Sequence, residues 1–182
     1  MRTTRLTPPS VFVLAVVSTF ALAPLGAVHA QENTPGGTAA VGTESAADHI
    51  AIVELANLFE NAFDEGDINT HMATWADEMS FESPFGNYDD RDGYREWVSG
   101  FYEQMSGMGG TRHLITNNVV DVDGDRASQT CYLVILGRTM NDGGPALMAT
   151  VRFEDELVRT AEGWRFTSRV LHLDQDPSSL GG

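Results

Sequence analysis

The sequence contains no lysine at all. Its basic residues are 11 arginines, which face 26 aspartates and glutamates and leave a formal net charge of -15. A surface this acidic repels a phosphate backbone, so we expect no nucleic-acid partner. The acidity favours solubility. It is also consistent with a saline habitat or with a genome of high GC content, and the sequence leaves both open.

Cysteine is nearly absent too, because Cys131 is the only one and cannot form an internal disulfide. It lies in an apolar strand-like run, which predicts a buried and inert thiol. His49, His71 and His172 lack the close spacing of a metal cluster. Residues 121–125 resemble the start of a calcium loop, but the glutamate of its last position is missing. We therefore expect no metal and no cofactor.

An apolar run over residues 11–25 is shorter than the ~20 residues of a membrane-spanning helix and is interrupted by Pro24. Two arginines precede it and the small-residue segment 28–30 follows it, which is the secretory pattern. We predict that residues 1–30 are a signal peptide, cleaved to give a periplasmic or secreted protein with no membrane attachment. An uncleaved membrane anchor is the alternative.

The chain after the signal peptide divides into a leader, one domain and a tail. Residues 31–43 are polar and contain Pro35 and a glycine pair, so we predict a flexible leader. The remainder is long enough for a single domain with one core. We place this domain at residues 44–174 and a flexible tail at residues 175–182.

The first half of the domain has the apolar spacing of helices. In residues 48–63, apolar side chains recur at intervals of three and four, as on one face of a helix. Residues 94–105 repeat this pattern, and residues 68–75 predict a short helix between the two. A short strand at residues 79–82 and a loop at residues 83–87 complete this half.

The second half consists of four long runs that are rich in β-branched and aromatic residues. They span residues 114–122, 127–136, 146–158 and 164–173. Helices followed by hairpin-connected strands predict an α+β fold with an antiparallel sheet. Because strands of this length twist and curl, we expect a cone-shaped sheet with three helices on its concave side and a blind pocket between them.

Six short motifs, each present once, follow one another along the domain. They are Asp48-His49-Ile50-Ala51-Ile52, Ala62-Phe63-Asp64-Glu65-Gly66-Asp67, Trp75-Ala76-Asp77, Phe81 to Gly86, Thr111-Arg112-His113 and Gly163-Trp164-Arg165-Phe166. In this order the chain resembles the SnoaL-like branch of the nuclear transport factor 2-like superfamily over nearly all of its mature length. The resemblance implies the cone-shaped fold. It leaves activity open, because the superfamily holds dehydratases, isomerases, cyclases, dehydrochlorinases and non-enzymes.

The resemblance implies a catalytic pair at Asp64 and His113. In scytalone dehydratase and hexachlorocyclohexane dehydrochlorinase, which the chain resembles here, an aspartate at the end of the first helix orients a proton-abstracting histidine on the sheet. A neutral imidazole is a natural base near neutral pH, and a carboxylate on its other nitrogen fixes the tautomer. Without the family pattern, both residues read as ordinary polar groups at a strand start and in a turn.

The same resemblance implies that Arg159 could hold a leaving or anionic group. An arginine near a strand end is more often a surface charge partner, and the local pattern favours that interpretation. Arg112 is adjacent to His113 and should therefore face the opposite side of the strand, towards acids of neighbouring strands or of a second subunit.

A predicted apolar pocket would bind a small hydrophobic molecule. Its predicted lining residues are Trp75, Phe81, Phe85, Trp97, Phe101, Ile115, Asn117, Tyr132, Met148 and Phe166. Ile115 and Asn117 are included because side chains alternate along a strand, which would place both on the wall that carries His113. Leu114 and Thr116 should then face outward. For any one of the aromatic residues, a plain core position is the favoured interpretation, but a curled sheet still needs some of them to line the cavity.

Two functions from different classes follow from these features. The first is a cofactor-free lyase or isomerase in which His113, held by Asp64, deprotonates a small hydrophobic carbon acid. The second is a non-catalytic pocket or a dimeric interaction module, which export favours because polyketide-type substrates are usually made in the cytoplasm. In either case we expect a homodimer through the convex face, because stretches such as residues 131–136 are apolar on both faces.

Overall fold

The computed structural model describes residues 39–140 and 144–175. Residues 1–38 and 176–182, which include the predicted signal peptide and most of the predicted leader and tail, lie outside the described residues. Gln175, the first residue of the predicted tail, donates a hydrogen bond of 2.8 Å to a backbone carbonyl of the sheet.

Three helices form the first layer of the domain: α1 (Ala39–Glu65), α2 (Ile68–Ala73) and α3 (Arg91–Gly107). The existence of all three was predicted, but α1 begins nine residues before the predicted start. Residues 39–43 are therefore helical and do not belong to a flexible leader. Residues 39–47 contain four alanines and no proline, and alanine has the highest helix propensity.

The turn that ends α1 depends on a glycine, Gly66. Gly66 has a φ of +74°, a left-handed conformation that glycine adopts without a Cβ clash. A Cβ at this position would lie 2.5 Å from the ring of Tyr102, so α3 packs directly against the turn. The Asp67 carboxylate then caps α2 by accepting a hydrogen bond of 3.0 Å from the Thr70 N–H.

The second layer is a six-stranded sheet in the order β2-β1-β6-β5-β4-β3. Its strands are β1 (Trp75–Ser83), β2 (Gly86–Tyr88), β3 (Thr111–Asp123), β4 (Arg126–Met140), β5 (Gly144–Thr160) and β6 (Gly163–Leu173). The four long strands pair antiparallel, as the sequence predicted. The short predicted strand is the longer β1, and part of the predicted loop is the edge strand β2.

One pairing departs from a purely antiparallel sheet, because β1 and β6 run parallel. The chain leaves β1 through β2 and α3 and crosses to β3 at the opposite edge. The last strand therefore returns to the side of β1 and runs in the same direction. Such a crossover between distant elements is invisible to local sequence patterns.

The helices cover the concave face of the curled sheet, and the main core lies between the two layers. Phe59 and Phe63 of α1, Tyr94 of α3 and Trp75 and Phe166 of the sheet are all buried in this core. Within the described residues, no helix is both long enough and apolar enough to span a membrane. The predicted α+β architecture is confirmed.

Candidate functional site

The Asp64 carboxylate and the His113 side chain meet inside the domain, as predicted. The Nδ1 atom of His113 lies 2.6 Å from Oδ1 of Asp64, and the His113 backbone N–H donates to Oδ2 at 2.8 Å. Asp64 is on the last turn of α1, and His113 is the third residue of β3. The two hydrogen bonds hold the imidazole in one orientation. The ring of Phe63 packs edge-on against it, with the ring centroids 5.4 Å apart.

The pairing determines which imidazole nitrogen carries the proton. An ionised carboxylate only accepts hydrogen bonds, so Nδ1 of His113 must carry the hydrogen and Nε2 of the neutral ring keeps its lone pair. Burial would raise the pKa of Asp64, but the hydrogen bonds from the His113 ring and backbone outweigh it and lower this pKa. Burial likewise opposes the charged imidazolium, whereas Glu60 and Asp64 favour it and raise the pKa of His113.

Two neighbours complete the surroundings of Asp64. The Thr111 hydroxyl donates to Oδ1 at 3.3 Å, and a guanidinium nitrogen of Arg112 lies 3.6 Å from Oδ2. Arg112 is half-exposed, so its side chain covers the outer edge of the carboxylate. The sequence placed Arg112 on the opposite side of the strand from His113. Its long side chain nevertheless reaches Asp64, an acid of the first helix, instead of an acid of a neighbouring strand.

The pair adjoins a cavity of about 510 Å³ between the helices and the sheet. Its walls are mostly aromatic and aliphatic, and they include five of the predicted lining residues: Phe81, Phe85, Trp97, Phe101 and Met148. The rings of Trp97 and Phe101 stack at 5.3 Å, and Phe85 stacks on Phe101 at 6.0 Å. Phe85 and Met108 are exposed and line the mouth of the cavity. This volume and lining are typical of sites for small apolar ligands.

His71 and Tyr94 form a polar pair in the cavity wall that the sequence did not single out. Nδ1 of His71 donates to the Phe59 carbonyl at 2.9 Å, and the Tyr94 hydroxyl donates to Nε2 at 2.9 Å. Burial lowers the pKa of His71 to about 3 and raises the pKa of Tyr94. Both side chains are therefore neutral, and their hydrogen-bonding atoms are engaged with each other and with the backbone.

A second group that the sequence analysis missed consists of Glu60, Asp155 and Arg169. Arg169 is fully buried and donates twice to the Asp155 carboxylate, at 2.7 and 2.8 Å. Its guanidinium also lies over the ring of Phe153 at 4.1 Å. Burial opposes the charge on Arg169, but the pairing with Asp155 holds its pKa above the usual value. Glu60 lines the cavity, and its Oε1 lies 3.9 Å from this arginine, too far for a hydrogen bond.

Five predicted pocket residues lie outside the cavity lining. Trp75 and Phe166 are buried core residues, and the half-buried Ile115 packs against the core. Asn117 is exposed because the strand bulges there, with a φ of +55° and a register shift before Val119. Tyr132 is 45% exposed, since it faces the convex side of β4.

Arg159 lies on the surface, away from the cavity lining. Its guanidinium donates to both carboxylate oxygens of Asp48 at 2.7 and 2.6 Å and to Asp125 at 3.1 Å. It also covers the ring of Trp164 at 4.4 Å. The hydrogen bonds from Arg159 lower the pKa of Asp48. This cluster ties α1 to the ends of β5 and β6. Arg159 is not among the residues that line the cavity.

The histidine, cysteine and acidic side chains of the described residues form no metal site. Within residues 39–140 and 144–175, no group of three or more histidine, cysteine or acidic side chains could hold a metal ion. Cys131 is buried, and burial raises the pKa of its thiol to about 12. The predicted burial of the thiol is confirmed.

Solved structures share this fold. A nuclear transport factor 2-like protein from Novosphingobium aromaticivorans, with a cystatin-like fold, is 21% identical with a TM-score of 0.68, covering 79% of this chain and 94% of its own. Rv3472 from Mycobacterium tuberculosis, of unknown function, is 20% identical with a TM-score of 0.66, covering 78% and 80%. A candidate scytalone dehydratase from N. aromaticivorans is 17% identical with a TM-score of 0.64, covering 74% and 89%. These identities establish likeness of fold alone.

The fold and the cavity define a small α+β domain of the nuclear transport factor 2-like type. The model of the SnoaL-like domain family matches residues 44–170. The chain therefore belongs to the SnoaL-like domain family. A search of curated proteins finds no match to it.

Proposed function

We propose that the domain is a cofactor-independent lyase or isomerase that removes a proton from a carbon atom of a small hydrophobic substrate. The observation that carries the proposal is His113, which lines the wall of an apolar cavity and is paired with Asp64 behind it. A base held in one orientation beside a space for an apolar molecule has the geometry that proton abstraction requires. The family alone would not support this choice, since function depends on the site.

Each member of the pair has a separate role in this mechanism. Nε2 of His113 accepts the proton from the substrate carbon, and the ring becomes an imidazolium. The Asp64 carboxylate, 2.6 Å from Nδ1, stabilises this positive charge and keeps the ring in the productive tautomer. The apolar walls exclude water, which strengthens the interaction between the two charges. The substrate carbanion then either expels a leaving group, as in a lyase, or is reprotonated elsewhere, as in an isomerase.

Proton abstraction can be tested without knowing the natural substrate. β-Tetralone is a small apolar ketone with acidic C–H bonds, and their exchange in deuterium oxide can be followed by proton NMR. We expect the protein to accelerate this exchange. His113→Ala should lower the accelerated rate by at least ~100-fold, the scale of a lost general base. Asp64→Asn should also slow the exchange, because the amide cannot stabilise the imidazolium.

Matched controls separate chemistry from folding. Arg159→Gln alters a surface ion-pair cluster outside the cavity and should leave the exchange rate unchanged. Circular dichroism should give the same spectrum for all variants. Full exchange activity in folded His113→Ala would refute the mechanism and favour the non-catalytic ligand-binding function.

We also propose that the protein is exported and forms a homodimer through its convex face. Export rests on the secretory pattern of residues 1–30, and amino-terminal sequencing of the mature protein should give Gln31 as the first residue. A mature protein that still begins at Met1 would contradict it. The dimer rests on exposed apolar side chains of the sheet, among them Leu114, Tyr132 and Leu147.

A further inference from the structure

Glu60 is a buried carboxyl group at the wall of the cavity. It is 4% exposed, it lines the cavity, and its Oε1 has no hydrogen-bond partner among the described residues. A buried carboxylate with an unpartnered oxygen is costly, and protonation lowers that cost because burial disfavours the charged form of the group. The mechanism built on Asp64 and His113 does not use this side chain.

The guanidinium beside Glu60 is shared with a second carboxylate. Nε and Nη2 of Arg169 donate to the Asp155 carboxylate, whereas Nη1 lies 3.9 Å from Oε1 of Glu60 and has no hydrogen-bond partner among the described residues. Asp64 lies four residues further along α1, so its carboxylate is one turn away on the same helix face and repels a second negative charge. His71 and Tyr94, which face the same cavity, are neutral and engaged with each other.

We propose that Glu60 is neutral in the resting protein and is the proton donor of the site, which assigns the substrate as an apolar molecule with a hydroxyl or carbonyl oxygen at the Glu60 end of the cavity. This inference rests on the proposed function and selects dehydration among the reactions that the proposed function allows. An acid and a base on the same cavity suit removal of water from a hydroxyl-bearing carbon acid.

In this dehydration, both side chains end in the protonation states in which they began. Nε2 of His113 takes the proton as the C–H bond breaks, and that electron pair forms the carbon–carbon double bond. The C–O bond breaks with its electrons on oxygen, which takes the Glu60 proton and leaves as water. The proton on the imidazolium then returns to the Glu60 carboxylate, so both groups are restored.

The electrostatics of the site agree with this assignment. Burial raises the pKa of Glu60, with nearby Asp64 and Asp155 acting in the same direction, while His113 and Arg169 oppose them. A positive charge on His113 lowers the pKa of Glu60, and a negative charge on Glu60 raises the pKa of His113. Each proton transfer therefore makes the other easier.

The donor can be tested with two ligands of equal shape. Methyl naphthyl ketone offers an oxygen that only accepts hydrogen bonds, and isopropenylnaphthalene replaces this oxygen with a methylene group. Calorimetric titration should show that the wild-type protein binds the ketone about tenfold more tightly than the hydrocarbon, the scale of one buried hydrogen bond. Glu60→Met should abolish this preference, whereas Glu60→Gln should retain it, because an amide N–H also donates.

Two readouts keep the test independent of folding and of catalysis. Isopropenylnaphthalene should bind the wild-type protein and both variants equally, which reports an intact cavity. Infrared spectroscopy at neutral pH should detect the carbonyl stretch of a protonated carboxyl group in the wild-type protein but not in either variant.

Retention of the ketone preference in Glu60→Met, or absence of the infrared band from the wild-type protein, would overturn the assignment of Glu60. Neither result would affect the loss of deuterium exchange expected for His113→Ala, so the two proposals can fail separately.

Discussion

His71 is a neutral histidine held between the Phe59 carbonyl and the Tyr94 hydroxyl. Its pKa of about 3 lies far below the ordinary value near 6.5, chiefly because burial disfavours the imidazolium. Below about pH 6.5 the unfolded chain binds a proton at this residue that the folded protein does not. The contribution of His71 to stability is therefore complete above that pH and is lost as the pH falls towards 3.

We expect His71→Gln to be less sensitive to acid than the wild-type protein. The glutamine amide can donate to the Phe59 carbonyl and accept from Tyr94, but it does not titrate. Between about pH 6 and about pH 4 the wild-type protein should lose roughly 2–3 kcal/mol more unfolding free energy than the variant, corresponding to one proton. Urea denaturation at each pH measures this difference. Equal losses in both proteins would mean that His71 is protonated in the folded state.

At the residue scale, the sequence predicted Asp64 and His113 but not Glu60 or Arg169. The motifs around the first two carry the family resemblance, whereas Glu60 is one acid among 26 acidic residues. A signal was nevertheless present, because Glu60 precedes Asp64 by four residues and must share its helix face. The burial of Arg169 depends on Asp155, which is adjacent only after β5 and β6 have paired. No local pattern contains that information.

At the element scale, the clearest failure of periodicity occurs in β3. Alternation predicted that His113, Ile115 and Asn117 share one wall, but the bulge between Thr116 and Val119 shifts the register by one residue. Asn117 therefore points outward, and its Oδ1 accepts a hydrogen bond of 2.7 Å from the Thr116 hydroxyl. The hairpins were predicted because turn residues mark them, but the strands were predicted too short: β3 has 13 residues and β4 has 15, against about nine and about ten expected. A bulge of consecutive asparagines has no such mark.

The bulge makes a prediction for stability. Asn117 has a φ of +55°, which asparagine tolerates better than most residues and glycine adopts freely. Asn117→Ala should lower the unfolding free energy by about 1 kcal/mol, whereas Asn117→Gly should be close to neutral. Chemical denaturation of both variants checks this expectation. A glycine variant as unstable as the alanine variant would show that the amide side chain, and not the backbone conformation, is what matters at this position.

At the scale of the whole molecule, the helices cover one face of the sheet and leave the other open. The convex face carries Leu114 at 47%, Tyr132 at 45% and Leu147 at 64% exposure. Large apolar side chains grouped on one surface are typical of interfaces between proteins. Leu114 lies on β3, Tyr132 on β4 and Leu147 on β5, which are adjacent strands. Since three neighbouring strands contribute, the surface is broad enough to favour a second copy of the sheet as its partner.

We expect a homodimer that depends on these side chains. Tyr132→Glu would place a negative charge in the apolar interface and should convert the dimer to a monomer, because desolvating an unpaired carboxylate opposes association. Ala161→Glu adds the same charge at an exposed turn and should remain dimeric. Analytical ultracentrifugation of the three proteins at micromolar concentration measures the outcome. A wild-type monomer would refute the assembly, and a Tyr132→Glu dimer would place the interface on another surface.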